Sequence, residues 1–156
     1  MPKTNKDISV LYIDDEINNL SSFKATFRRE FQVFTAENAK IAKEILKDHD
    51  VHIIISDQRM PEMTGIEFFQ NIIDEYPEPI RILITGYSDI QAVIDAINKG
   101  SVYKYLSKPW GEEQMKADIR EAHYVYTLRQ DQMEMTDKLI DVNRKLEFIA
   151  RQNLLS

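Results

Sequence analysis

A few residues in this 156-residue chain are of types that do polar chemistry together. They are the acidic run Asp14-Asp15-Glu16, Asp57 after Ser56, Thr85 before Gly86, and Lys108 before Pro109. Each has an ordinary reading when taken alone. An acid pair or a single Asp after an apolar run commonly caps a helix or turn, Thr-Gly marks a turn, and Lys-Pro lies on the surface. Together they amount to three carboxylates, a hydroxyl and an ammonium. Three carboxylates a few ångströms apart repel one another and need a cationic partner. Lys108 brings one positive charge, and a hard divalent ion with oxygen ligands, such as Mg²⁺, completes the balance. One carboxylate can then attack phosphorus. The ion and Lys108 stabilise the transferring oxygens, and Thr85 donates a hydrogen bond. The set points to phosphoryl transfer or metal binding.

Those residues meet only if the elements between them bring them to one edge. Five short apolar runs, Ile8–Ile13, Phe31–Thr35, Val51–Ser56, Ile80–Ile84 and Val102–Leu106, read as strands. Amphipathic stretches at about 18–30, 39–48, 65–75 and 89–99 read as helices. Thr64-Gly65-Ile66-Glu67 and Ser88-Asp89-Ile90-Gln91 have the capping-box pattern of helix starts. Tyr76-Pro77-Glu78-Pro79 and Lys99-Gly100 read as stops. Strict alternation predicts an α/β fold with a parallel sheet covered on both faces. Ile53-Ile54-Ile55 and Ile82-Leu83-Ile84 are continuously apolar, as doubly buried strands must be, whereas Gln32 and Lys104 mark the second and fifth strands as edges. The expectation is a doubly wound five-stranded sheet in the flavodoxin-like order 2-1-3-4-5, with its working site beyond the carboxyl ends of the strands. Asp14, Asp57, Thr85 and Lys108 all fall at such ends.

Composition narrows the classes. The net charge is −6 with no basic patch, which argues against duplex nucleic acid as a partner. No apolar run approaches the roughly 20 residues of a membrane span, and the polar N-terminus has no signal-peptide core. Cysteine is absent, so thiol catalysis, disulfides and thiolate metal sites are excluded, and a cytoplasmic setting is expected. His49, His52 and His123 have no metal-ligand spacing and read as structural or exposed.

Over about residues 7–124 the chain resembles the receiver domain of two-component response regulators. The resemblance rests on Asp14-Asp15, on Asp57-Gln58-Arg59-Met60-Pro61-Glu62-Met63-Thr64-Gly65, on Thr85-Gly86, on Tyr105 and on Lys108-Pro109. It implies Asp57 as phosphoacceptor and Mg²⁺ as cofactor. Asp15 would be a direct metal ligand assisted by Asp14, and Asp57 and the backbone carbonyl of Arg59 would complete the protein ligands. Thr85 and Lys108 would sense the phosphoryl group, and Tyr105 would be the switch aromatic that turns inward. It also implies a cis Lys108–Pro109 bond and a phosphodonor that is a histidine kinase or histidine phosphotransfer protein. Arg59 and Tyr87 fall at positions that vary in that family and tune phosphoryl lifetime. From the residues alone Tyr105 reads as a half-buried packing residue on an edge strand, and Trp110 as a cap over the start of the last helix, not a binding site.

After Gly111 neither Gly nor Pro recurs, so 112–156 reads as one long helix. Val125, Leu128, Gln132, Met135, Leu139, Val142, Leu146, Ile149 and Asn153 recur at intervals of three and four. That heptad pattern predicts a coiled coil over 125–156 and a homodimer. Gln132 and Asn153 occupy a positions, and Ile140, Phe148, Leu154 and Leu155 lie off the seam. The off-seam residues suggest a second contact surface or a following output domain in a longer protein. Glu112–Lys116, Glu134–Lys138 and Asp141–Lys145 have the favourable i,i+4 polarity.

Three other readings compete with a phosphorylation switch without substrate turnover. An aspartyl phosphatase usually carries its nucleophile and a second acid two residues apart after the first strand; Asp14-Asp15-Glu16 lacks that layout with a following Thr, and no cap domain is expected. A flavin or nucleotide module needs a glycine-rich first turn, and this one is acidic. A degenerate receiver used only for dimerisation is disfavoured by the complete acid–Thr–Lys set.

Overall fold

The computed structural model describes residues 7–86 and 90–155. The Ser88–Gln91 capping box and Tyr87 therefore fall at least partly outside the described residues. Five strands and five helices alternate: β1 (Ser9–Ile13), α1 (Ile17–Phe27), β2 (Gln32–Ala36), α2 (Ala39–Asp48), β3 (Ile53–Asp57), α3 (Gly65–Ile72), β4 (Ile80–Thr85), α4 (Ile90–Asn98), β5 (Lys104–Ser107) and α5 (Glu112–Leu155). All pairings are parallel and the strand order is β2-β1-β3-β4-β5. The three inner strands, β1, β3 and β4, are buried along their whole length, as their apolar runs require. The edge strands alternate or are only partly covered, in keeping with Gln32 and Lys104.

The sheet divides the core in two. On one face Tyr12, Phe23, Phe27, Phe31, Ile55, Ile82, Met115 and Ile119 pack beneath α1 and the first turns of α5. On the other, Leu11, Ile13, Leu46, Ile54, Phe68, Phe69, Leu83 and Val93 pack beneath α2, α3 and α4. Successive strand residues point to opposite faces, so one run fills both layers.

Several boundaries differ from the sequence expectation for identifiable reasons. α1 ends at Phe27, not near residue 30, because the amides of Glu30 and Phe31 both turn back onto the Phe27 carbonyl. β5 begins at Lys104, because the amides of Ser101 and Val102 are spent on the Ala96 carbonyl at the end of α4. α3 starts as expected: the Thr64 hydroxyl accepts the Glu67 amide at 3.1 Å.

α5 is one unbroken helix of 44 residues, about 66 Å long at 1.5 Å per residue. Its root is fixed to the domain. Trp110, two residues before the helix, packs against the core layer that holds Met115 and Ile119. It packs on Phe23 and Phe27, with ring centroids 5.8 and 5.7 Å away. Lys116 pairs with Glu30 at 2.6 Å across the domain, not with Glu112, and Arg120 reaches the other Glu30 oxygen at 3.1 Å. From Asp131 to Leu154 every residue is exposed.

Candidate functional site

The carboxyl ends of β1 and β3 lie side by side, with Ile13 paired to Ser56. Asp14 and Asp57 therefore meet at the top of the sheet. Asp14 is fully buried and Asp57 nearly so, whereas Asp15 is exposed. Carboxylate oxygens of Asp14, Asp15 and Asp57 lie within 4.8 Å of one another. β4 and β5 complete the rim. Thr85, buried, ends β4, and the Lys108 amide donates to its carbonyl at 3.1 Å. The Lys108 ammonium stands 2.9 Å from Asp57 Oδ1. The Lys108–Pro109 peptide is cis, as the resemblance implies.

The two buried acids are held differently. Asp14 Oδ2 accepts from the Tyr12 hydroxyl at 2.9 Å and the Asn19 amide at 3.0 Å, and Oδ1 accepts from the Glu16 backbone N–H at 3.0 Å. These donors orient the carboxylate. Burial, followed by the charge of Asp14, holds the Tyr12 hydroxyl far above its ordinary range, so it stays a donor. Asp57 has weaker support. Burial raises its carboxyl above the usual range and Asp14 adds to the rise, while Lys108 and the Arg59 backbone N–H pull it down. A buried acid of raised pKa among other acids is under-compensated by a single lysine. Three oxygen donors this close suit a hard divalent cation, which would relieve that repulsion.

The β3–α3 loop is held in shape around Asp57. Gln58 accepts the Ile66 amide through its side chain, and its carbonyl accepts the Gly65 amide. Gly65 sits against the back of Asp57, where a Cβ would lie 2.6 Å from the Asp57 carbonyl and 2.7 Å from Leu83 Cδ1. Only glycine fits there without displacement.

A family model described as the response regulator receiver domain matches residues 10–120. The chain belongs to that family. The hydrogenase transcriptional regulatory protein HoxA of Cupriavidus necator is 35% identical over 119 residues, which is 76% of this chain and 25% of that protein. The chain thus spans about a quarter of the length of the curated relatives it matches. A crystal structure of adenylate cyclase from Rhodopirellula baltica superposes with a TM-score of 0.80 at 30% identity, covering 83% of this chain and 97% of that one. A beryllofluoride-activated NtrC4 receiver domain dimer superposes with a TM-score of 0.69 at 31% identity, covering 76% and 98%. Receivers of this family serve phosphorylation-dependent signalling.

Asp14, Asp15, Asp57, Thr85 and Lys108 thus gather on one rim of this receiver. Tyr105 lies elsewhere, on the edge strand β5 opposite Leu83, with its ring 40% exposed. The Thr85 hydroxyl donates to the Gly86 carbonyl at 3.1 Å. His52 and His123 lie near the opposite end of the sheet with ring centroids 5.1 Å apart and planes tilted by 56°, outside the acid cluster. Sequence reasoning missed Tyr12, Asn19 and Gln58. Tyr12 passes for core because it packs on Phe23. Asn19 carried a usable signal, an amide on the first turn of α1 five residues after Asp14.

Proposed function

We propose that this receiver is a two-component switch that takes a phosphoryl group on Asp57 with Mg²⁺. One observation carries the reading: Asp57 ends a central strand, nearly buried, 2.9 Å from Lys108 and within 4.8 Å of Asp14 and Asp15. The Asp14, Asp15 and Asp57 carboxylates and the Arg59 carbonyl are the proposed ligands. Bound there, the cation supplies charge neutralisation for the phosphoryl oxygens.

The chain's own groups do the rest. Asp57 Oδ attacks phosphorus, an acyl-phosphate O–P bond forms, and the P–N bond to the histidine of the donor breaks. The electron pair of that bond leaves with the imidazole. Lys108 meets the developing phosphoryl charge from the side it already occupies, and Thr85 turns its hydroxyl from the Gly86 carbonyl toward a phosphoryl oxygen. That rotation vacates space that Tyr105 fills by turning inward, which makes the β4–β5 edge the two-state element. The donor class is a histidine kinase or histidine phosphotransfer protein. The group is acquired and lost on one residue, so no separate substrate is turned over. The exposed heptad face of α5, with Leu139 58%, Leu146 58% and Ile149 54% accessible, supports a homodimer through the tail. It also supports relay of state to an output domain of the kind a longer regulator carries. No described helix is long and apolar enough to cross a membrane, which is consistent with a cytoplasmic setting.

The test is intact mass after incubation with Mg²⁺ and phosphoramidate, beside Asp57→Ala. One added phosphoryl on the parent and none on the variant is expected. Equal uptake by both, or none by folded parent, refutes the assignment.

A further inference from the structure

Tyr12 carries a hydroxyl into a stretch of β1 where its neighbours Val10, Leu11 and Ile13 are aliphatic and buried. Its ring stacks on Phe23, with centroids 4.3 Å apart and planes at 13°, a contact that a phenylalanine would make equally well. A buried hydroxyl costs free energy unless it is bonded, and this one donates to Asp14 Oδ2 at 2.9 Å. Strand residues two apart share a face, so β1 itself aims the hydroxyl at the acid. The ring is buried and held against Phe23, which fixes that aim.

An ionised carboxylate offers about four lone-pair positions. Among the described residues, the Tyr12 hydroxyl and the Asn19 amide fill both positions on Asp14 Oδ2, and the Glu16 backbone N–H takes one on Oδ1. Asn19 is itself anchored, because the same amide nitrogen also donates to Glu16 Oε2 at 3.2 Å. One acceptor position is then left on Asp14, and it is on Oδ1. The other two acids of the cluster are not held this way: Asp15 is exposed, and Asp57 meets the Lys108 ammonium through Oδ1.

We propose that Tyr12 is a positioning residue that sets which cation the acid cluster takes: by filling Oδ2 it confines Asp14 to a single contact through Oδ1, and so favours Mg²⁺ over Ca²⁺. The proposal rests on the reading of Asp14, Asp15 and Asp57 as a cation site. Mg²⁺ demands an octahedron, keeps several waters and uses few carboxylates, whereas Ca²⁺ takes about six to eight oxygens and readily uses both oxygens of one carboxylate. With Oδ2 occupied, Asp14 does not chelate, and the cluster falls short of the oxygen count that Ca²⁺ needs. Removing the Tyr12 hydroxyl opens a lone pair on Oδ2 and gives up the fixed aim of Oδ1. The first change helps Ca²⁺ and the second harms Mg²⁺. Losing a partner that orients a metal ligand typically changes affinity by about 10–100-fold.

Separate titrations of Mg²⁺ and Ca²⁺ into the parent and into Tyr12→Phe test this. They are read by thermal shift and by the fluorescence of Trp110, the single tryptophan, whose ring lies against Phe23. Tyr12→Phe keeps the ring and removes only the donor. The Mg²⁺ dissociation constant should rise about tenfold while that of Ca²⁺ stays level or falls, so the preference for Mg²⁺ drops about tenfold or more. Asn19→Ala frees the same oxygen from the α1 side and should move the preference in the same direction. It carries the test should circular dichroism show that Tyr12→Phe does not fold. An equal loss for both cations marks packing alone and overturns the proposal, as does an unchanged preference. A parent that binds neither cation overturns the cation-site reading and the proposal with it.

Discussion

Replacing Asp57 by Asn should stabilise the metal-free receiver and destabilise it relative to the parent once Mg²⁺ is present. At 4.8 Å and an effective dielectric near 20, the repulsion between Asp57 and the equally buried Asp14 is about 3.5 kcal/mol. The attraction to Lys108 at 2.9 Å is about 6 kcal/mol on the same scale, but that lysine side chain is 44% exposed and water screens the pair to roughly the size of the repulsion. What remains is burial of the charge, the largest cause of the raised Asp57 pKa. Asn removes that cost and keeps an oxygen for Lys108. The expected gain without metal is about 1–2 kcal/mol, or roughly 3–8 °C in Tm.

Divalent ion reverses the order. At one hundred times its dissociation constant a ligand that binds only the folded state adds about 2.7 kcal/mol. The parent receives all of it, whereas Asp57→Asn has lost an anionic ligand and receives little. Thermal melts followed by circular dichroism, in EDTA and in saturating Mg²⁺, give four numbers and one crossing. A parent that melts higher than the variant in EDTA, or equal shifts of both proteins on adding Mg²⁺, would refute the charge argument.

Three further outcomes follow from particular contacts. Gly65→Ala drives a methyl to within 2.6 Å of the Asp57 carbonyl, so it should cost about 1–3 kcal/mol in urea unfolding and slow phosphoryl uptake as well. Arg81→Met should cost about 2–3 kcal/mol by the same assay, because the buried guanidinium serves the carbonyls of Pro79, Gly100 and Ser101 at once. His52 and His123 are held below their ordinary 6.5, chiefly by burial, and His52 Nδ1 must stay unprotonated to accept the Ser9 amide at 3.1 Å. Their contribution is therefore complete above pH 6.5 and lost as the pH falls through the lowered values, with Asp7 and Asp50 opposing the loss. Urea midpoints should drop further between pH 7.5 and 5.5 for the parent than for His52→Gln/His123→Gln; parallel profiles would refute it.

The fold was legible because its signals are redundant. Ile53-Ile54-Ile55 can only be a strand buried on both faces, and Gln32 and Lys104 can only sit on edges. The rim residues were legible because strand ends are predictable once strands are. What escaped were contacts between distant segments. Nothing local distinguishes buried Asp14 from exposed Asp15; that difference arises from Tyr12 and Asn19 closing around one of them. Arg81 hid inside the apolar run 80–84, since arginine is rarely buried, and only the converging carbonyls of two loops make its burial tolerable. Lys116 had an acid four residues before it and chose Glu30 instead, because the third dimension offered a bond at 2.6 Å.

The same contacts decide where a change at Asp57 can travel. Lys108 touches Asp57 with its side chain and Thr85 with its amide, and two residues later Trp110 is wedged against α1. The first turns of α5 are then locked by Met115 and Ile119 in the core and by the Glu30 pairs on the surface. Displacing that root means breaking aromatic packing and two ion pairs together. The β4–β5 edge is held more lightly: Tyr105 is 40% exposed, and Ile90 and Ile94 of α4 are 45% and 42% exposed. The C-terminal end of α4, by contrast, is pinned by Arg81 through Gly100 and Ser101. Low cost therefore lies in turning Tyr105 and pivoting α4 about its pinned end, and high cost in moving α5. On the proposed reading, a state change at Asp57 would be read on the α4–β5 surface, and the tail would transmit it as a rigid rod whose neighbours change and whose own structure does not.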